Sequence, residues 1–171
     1  MDAVLELHRM WLSNPSEGRQ ADLHGAPLNG EHFTDTNLSG LLAPGASFHE
    51  SRFYDADLSG GDFSGAEFYH ARLHHSRLKG VTARDANFIG AKIDHCDFSG
   101  ADLAGSNFFR AEVTACSFRH ADLRNCNFEE VRLRGGDFRG AKLAGSKGLT
   151  GKQIAQAITD DGTTLPSTSP D

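Results

Sequence analysis

From Ala21 to Gly145 one five-residue pattern runs without a slip in register, giving 25 consecutive pentads. The third residue of each is Leu, Phe, Ile or Val in 23 of them, and the first is Ala, Ser, Thr, Cys or Gly in 21. Eleven of the twelve Phe residues stand at third positions; only Phe109 does not. An apolar residue every fifth position fits neither the two-residue period of a strand nor the 3.6-residue period of a helix. It fits a solenoid of small units, each burying one large side chain and stacking on its neighbours.

The units Ala21-Asp22-Leu23, Ala86-Asn87-Phe88, Ala101-Asp102-Leu103 and Ala121-Asp122-Leu123 carry the motif A-[DN]-[LF]-x-x. In this the chain resembles the pentapeptide-repeat family. The resemblance implies an all-β solenoid: a right-handed quadrilateral parallel β-helix with four pentads per coil, so that residue i lies under residue i+20. Twenty-five pentads make about six coils and, at about 4.8 Å per coil, a rod of roughly 30 Å.

Residue chemistry agrees with that shape. Third positions fill the axis, including Leu103, Leu123 and an unbroken column of Phe48, Phe68, Phe88, Phe108 and Phe128. Small first positions point inward, and the remaining three face solvent. Gly at 13 fifth positions suits a corner that wants positive φ, and Asp or Asn at the second can bond the local backbone. Ala43 and Ala83 are the only small centres, and Leu41 and Val81, two positions earlier, restore the missing volume. Glu31, at an inward position in the first coil, is expected at an edge where its carboxylate reaches water.

The ends read differently. Val4, Leu7 and Trp11, at i, i+3 and i+7 with Leu5 and Leu12 alongside, predict an amphipathic helix over residues 2–12 that packs its apolar stripe on the first coil. Residues 1–20 are thus a capping helix and linker, and 21–145 the β-helix. Residues 146–162 form a second cap. There Thr150 is the expected N-cap, Gln153 completes a capping box, and Leu149 with Ile154 makes a hydrophobic staple. A helix over 151–159 follows, and 163–171 reads as a flexible tail.

With a net charge of −6 the surface is unsuited to direct nucleic-acid or acidic-membrane binding. No apolar run is long enough to span a bilayer, and the acidic, interrupted N-terminus does not read as a secretory signal. Three Cys argue against a disulfide framework and for a reducing cytoplasm. Together with the resemblance this points to a bacterial, cytoplasmic protein.

Two exterior clusters stand out. Tyr69, Ile89 and Phe109 fall in one column of the second side, with His49 and Glu129 at its ends and Glu67, Glu129 and Glu130 at its rim, a candidate interaction surface. On the third side His75 and His95 stack above Asp55, with His74 between Tyr54 and Asp94 and His70 just before the corner. This is a weak candidate for a zinc-like ion that lacks the local spacing of a known site, so no metal or cofactor is assigned. A column of Arg52, Arg72, Lys92 and Arg132, broken by Glu112, is read as a solvated face. Cys96, Cys116 and Cys126 take inward, Ala-sized sites. No phosphate loop, triad or accessible nucleophile emerges, so the chain is read as non-catalytic.

The functional expectation is a rigid protein–protein interaction module with an unidentified protein partner. The resemblance supplies an alternative, a DNA mimic that binds DNA gyrase and inhibits it or protects it from quinolones. Duplex DNA carries one charge per about 1.7 Å, some eighteen over such a rod, far above this chain's net charge. The resemblance also leaves a homodimer open, through either the ladder or the C-terminal helix.

Overall fold

The computed structural model describes residues 2–166. It is a parallel β-solenoid with a helix at each end. Helix α1 spans Asp2–Ser13; β1 is His32–Thr34, β2 Arg52–Tyr54, β3 Arg72–His74, β4 Lys92–Asp94, β5 Glu112–Thr114 and β6 Arg132–Arg134; helix α2 is Gly151–Gln156. The six strands form one parallel sheet in chain order, and each pairs with the next at a register of twenty residues, as in Phe33↔Phe53 and Leu73↔Ile93. Single parallel bridges repeat that register on the other sides, for example Asp62↔Thr82, Glu67↔Asn87 and Asp57↔Arg77. We number the sides from the pentads beginning at 21, 26, 31 and 36, so that the strands occupy the third.

The register follows from where each pentad sends its backbone groups. The N–H of a third residue donates upward to the second residue's carbonyl in the next coil, as Phe68 does to Asn87 at 2.7 Å. The N–H of the second residue donates downward, as Asn87 does to Ala66 at 2.9 Å. Between these bonds the chain turns a corner, and the fifth residue adopts positive φ. Glycine fills most such corners, but Asp35, Asp55, His75, His95 and Ala115 hold φ of 50–53° along the third side without it. Side chains at second positions brace the turns: Asp57 Oδ1 accepts from Ser59 N at 3.0 Å, and Asn87 Oδ1 from Ile89 N at the same distance.

The axis is filled as the pentads require. Phe48, Phe68, Phe88, Phe108 and Phe128 are buried and stack ring on ring, with centroids 4.8–5.1 Å apart. Phe98, Phe118 and Phe138 form a second stack on the fourth side. Each buried ring contributes on the order of 2 kcal/mol of transfer free energy. Leu41 with Ala43 and Val81 with Ala83 are buried as exchanged pairs. At Gly61 and Gly136 the inward position has no room at all, since a Cβ would lie 2.7 Å and 2.5 Å from the ring of Phe63 or Phe138 in the same pentad. Glu31 is exposed at the first coil, as expected of its edge position.

Both ends depart from the sequence expectation. In α1 the stripe named by Val4 and Leu7 is 38% and 44% exposed. Leu5 packs on the core and His8 is fully buried, so the helix is rotated by about one residue and seats a histidine rather than an all-apolar stripe. At the other end Thr150 caps α2 with the full capping box, and Leu149 and Ile154 converge over Leu133, Phe138 and Leu143. The helix ends at Gln156, however, short of residue 159. Ile158 instead pairs with Asp137 and Thr164 with Lys142, adding part of another course to the open end. Residues 163–166 therefore lie outside any free tail, with Pro166 buried; the rest of that segment, 167–171, lies outside the described residues.

Candidate functional site

The second side places Tyr69, Ile89 and Phe109 in successive coils, as the twenty-residue register demands. Their carbonyls accept from Glu50 N, His70 N and Gly90 N of the coils beneath at 2.9–3.0 Å, which fixes the column in the backbone ladder. Tyr69 is 39% exposed, whereas Ile89 and Phe109 are half-buried. Asn87 and Asn107 lie beside them and accept from the N–H of Ile89 and Phe109, so the flanking positions are uncharged. These asparagines, already present in the repeat motif, were not singled out from sequence, because Asn and Asp brace a corner equally well.

Polar side chains sit at the two ends of the column and contact one another. At the lower end His49 contacts Glu67 of the next coil, and its ring lies 5.7 Å from Tyr69. Above, the Arg110 guanidinium stands 4.8 Å over the Phe109 ring while forking to both oxygens of Glu130. Lys147 approaches Glu129 at 3.4 Å. The arrangement is a narrow apolar strip with a polar rim, suited to contact rather than chemistry.

The third-side histidines do not converge. His75 and His95 stack face to face with centroids 4.9 Å apart, and His74 and His95 each turn to Asp94, at 2.8 and 2.9 Å. Stacked imidazoles direct their nitrogens along the ring planes, away from a shared ligand point. Among the described residues no group of three or more His, Cys, Asp or Glu is placed to hold a metal ion. Beside them Tyr54, Arg72, His74, Lys92 and Asp94 line a shallow groove of about 480 Å³ in which both charge signs are present. Among the described residues, Arg52 and Arg72 make no ion pair, while Lys92 and Arg132 share Glu112.

The three cysteines are buried and unbridged. Burial pushes the Cys126 thiol up to about 12. The adjacent Cys116 side chain, together with burial, raises the Cys96 thiol as well. The neighbouring Cys96 lowers the Cys116 thiol, but all three thiols are enclosed, which denies them to a substrate or an ion. Their role is visible in their bonds: Cys116 and Cys126 direct Sγ at the carbonyls of Ile93 and Leu103, as Ser51, Ser76 and Ser106 direct Oγ at Leu28, Phe53 and Ala83. Among the described residues no helix is long and apolar enough to cross a membrane.

Elsewhere four exterior carboxylates are paired locally with arginines. Asp57 meets Arg77 at 3.2 Å, Asp102 meets Arg84 at 3.0 Å, and Asp122 and Asp137 each meet an arginine two residues on at 2.6 Å.

The comparisons with known proteins concern the repeats. The family model described as "Pentapeptide repeat region" matches residues 51–123, and that described as "Pentapeptide repeats (8 copies)" matches 32–68 and 111–147. The chain is similar to the structure of HetL, a protein involved in heterocyst differentiation regulation in the cyanobacterium Nostoc sp. strain PCC 7120. Identity is 21%, over 94% of this chain and 78% of that one, at a TM-score of 0.36. It is also similar to a trypsin-treated variant of QnrB1, a plasmid-mediated fluoroquinolone resistance protein, at 19% identity, 86% coverage of each chain and a TM-score of 0.42. Rfr23 from the cyanobacterium Cyanothece 51142 is 19% identical over 92% of this chain and 97% of that one, at a TM-score of 0.29. No curated protein matches the chain.

Proposed function

The chain belongs to the pentapeptide-repeat family, and on that premise we propose that it is a rigid, non-catalytic protein–protein interaction module whose contact surface is the second side. The observation that carries the reading is the column of Tyr69, Ile89 and Phe109, flanked by uncharged Asn87 and Asn107 and closed at one end by the His49–Glu67 contact and at the other by the Arg110–Glu130 ion pair. Three apolar side chains in consecutive coils are held by the backbone ladder, so little conformational entropy is lost when a partner covers them. The partner face that fits is narrow and apolar with polar flanks. The buried, unbridged thiols suit a reducing compartment such as the cytoplasm.

The test compares proteins co-purified from the source cells with wild type, Ile89→Asp and Lys79→Glu, the last a charge change on the fourth side. The reading requires a partner that Ile89→Asp loses and Lys79→Glu retains. Identical sets for all three variants would remove the second side as the contact.

The gyrase-directed DNA mimic remains the rival proposal, and the ion pairs weigh against it. A mimic needs carboxylates free to meet a DNA-binding surface, whereas Asp57, Asp102, Asp122 and Asp137 are held by arginines of this chain. A supercoiling assay with folded protein, with and without a quinolone, separates the two. Inhibition or drug protection at about micromolar protein supports the mimic, and no effect leaves the interaction module.

A further inference from the structure

The first coil has no coil beneath it, and its exposed backbone groups must find other partners. On the fourth side the carbonyl of a fourth residue normally accepts a glycine N–H from the coil below, as in Gly40 N to Ser59 O, Gly60 N to Lys79 O and Gly80 N to Ser99 O, each at 2.9 Å. Ser39 has no such glycine. Its carbonyl is met at 3.1 Å by Nε2 of His8, from α1. A first-position N–H normally donates to the carbonyl three residues back, as in Ala26 N to Leu23 O and Leu41 N to Leu38 O. Ala21, which opens the repeats, donates instead to Nδ1 of His8 at 3.0 Å. One imidazole thus replaces two backbone groups of an absent coil. Gln20 adds a third substitute, donating Nε2–H to Gly40 O at 2.7 Å.

These partners dictate the protonation state. A peptide N–H only donates and a carbonyl only accepts, so His8 must be the neutral tautomer with the proton on Nε2. A second proton would enter at Nδ1, where it meets the Ala21 N–H head on. The side chain is fully buried, so water cannot relieve that clash. Trp11 stacks on the ring at 5.4 Å. The titratable groups on the adjoining elements offer no compensation: Glu6 and Arg9 of α1 pair with each other in solvent, and Arg19 and Asp22 border a groove beside Val4 and Leu7. Among the described residues none of the four bonds the imidazole.

We propose that His8 is an acid-sensitive latch: neutral, it seats α1 on the first coil, and protonated, it releases the helix and uncovers the edge of the β-helix. Burial holds the His8 imidazole below the ordinary value of 6.5, which agrees in direction. The seated form therefore binds fewer protons than the released form. Seating is complete above about pH 6.5, weakens as pH falls, and loses roughly tenfold per pH unit until the seated imidazole itself titrates. This latch is independent of the second-side column.

The experiment uses the full chain and two readouts. Emission from Trp11, the single tryptophan, reports the seat, and amide hydrogen exchange over residues 2–20 reports the helix. Wild type, His8→Gln, which offers a donor and an acceptor without titrating, and His8→Ala are compared at matched pH from about 7.5 to about 5. Wild type should lose α1 protection and red-shift on acidification while the repeats stay protected. His8→Gln should keep both, and His8→Ala should start released. Equal acid release of wild type and His8→Gln would overturn the proposal. If glutamine fails to seat, NMR of wild type decides: the Ala21 amide must shift with the midpoint of the His8 ring, and an Ala21 amide indifferent to that titration refutes the latch.

Discussion

The hydroxyl of Ser106 donates to the carbonyl of Ala83, 23 residues earlier, across 2.7 Å inside the solenoid. Ser51 and Ser76 do the same to Leu28 and Phe53, and Cys126 does so through sulfur to Leu103. At these three positions the inward serine is therefore an inter-coil tie, which explains why a polar residue stands where alanine fits. Among the described residues no buried side-chain N or O lacks a partner. Ser106→Ala should lose about 1 kcal/mol of stability, the net worth of a buried hydrogen bond. Ser106→Cys should lose less, since a thiol already makes this tie at Cys126. Denaturant melts of the three proteins test it; no loss for alanine would mean that the tie adds nothing net, and equal losses for alanine and cysteine would mean that sulfur cannot replace the hydroxyl here.

Ala115 holds φ of 50° at a corner of the third side, where a Cβ is disfavoured by about 1 kcal/mol or more. Gly135 fills the equivalent corner of the next coil. Ala115→Gly relieves that strain, and the greater freedom of glycine in the unfolded chain gives part of it back. The expected net gain is about 0.5 kcal/mol, seen as a higher denaturation midpoint. Ala111→Gly, the same change at a buried inward position, should destabilise instead. A matching loss at residue 115 would show that the corner is unstrained.

Asp137 combines two roles that pH can separate. Its Oδ1 accepts from the Arg139 N–H at 3.2 Å, and the same carboxylate pairs with the Arg139 guanidinium at 2.6 Å. The Arg139 hydrogen bond holds the Asp137 carboxyl below its usual 3.8. A lowered folded value means that the pair stabilises fully above about pH 4 and is lost as pH falls through the folded value. Arg139 is solvated, so screening keeps the contribution small. Asp137→Asn retains the turn bond but removes the charge. Its deficit at neutral pH should be small and vanish in acid, whereas Asp137→Ala should keep a deficit throughout. A pH-independent deficit for the asparagine would exclude the ion pair as its source.

The repeats were legible because each pentad repeats one local rule, and the register follows from counting to twenty. The column of Tyr69, Ile89 and Phe109 was legible for the same reason. What escaped was set by the edges, where the rule has no neighbour to act on. Apolar periodicity selected Val4 and Leu7 and passed over His8, because a buried histidine is recognised only by its partners. Ile154 and Ile158, four apart, read as one helical face. The unpaired groups of the last coil instead draw Ile158 into a bridge, since a free β edge offers backbone partners that a short, lightly buried helix end does not.

That edge gives the final prediction. Ile158 N–H donates to Gly136 O at 2.9 Å, and its carbonyl accepts from Phe138 N at 2.7 Å. Its side chain is 52% exposed, so most of its worth lies in the backbone. Ile158→Pro removes the N–H and leaves Gly136 without its partner, whereas Ile158→Ala keeps both bonds and sacrifices only half-exposed apolar surface. Proline should therefore speed amide exchange at Phe138 and Leu143 and promote concentration-dependent association through the freed edge, measured by sedimentation. Alanine should do little of either. A larger effect from alanine than from proline would place the contribution in the side chain and discard edge pairing as the reason the C-terminal segment leaves the helix.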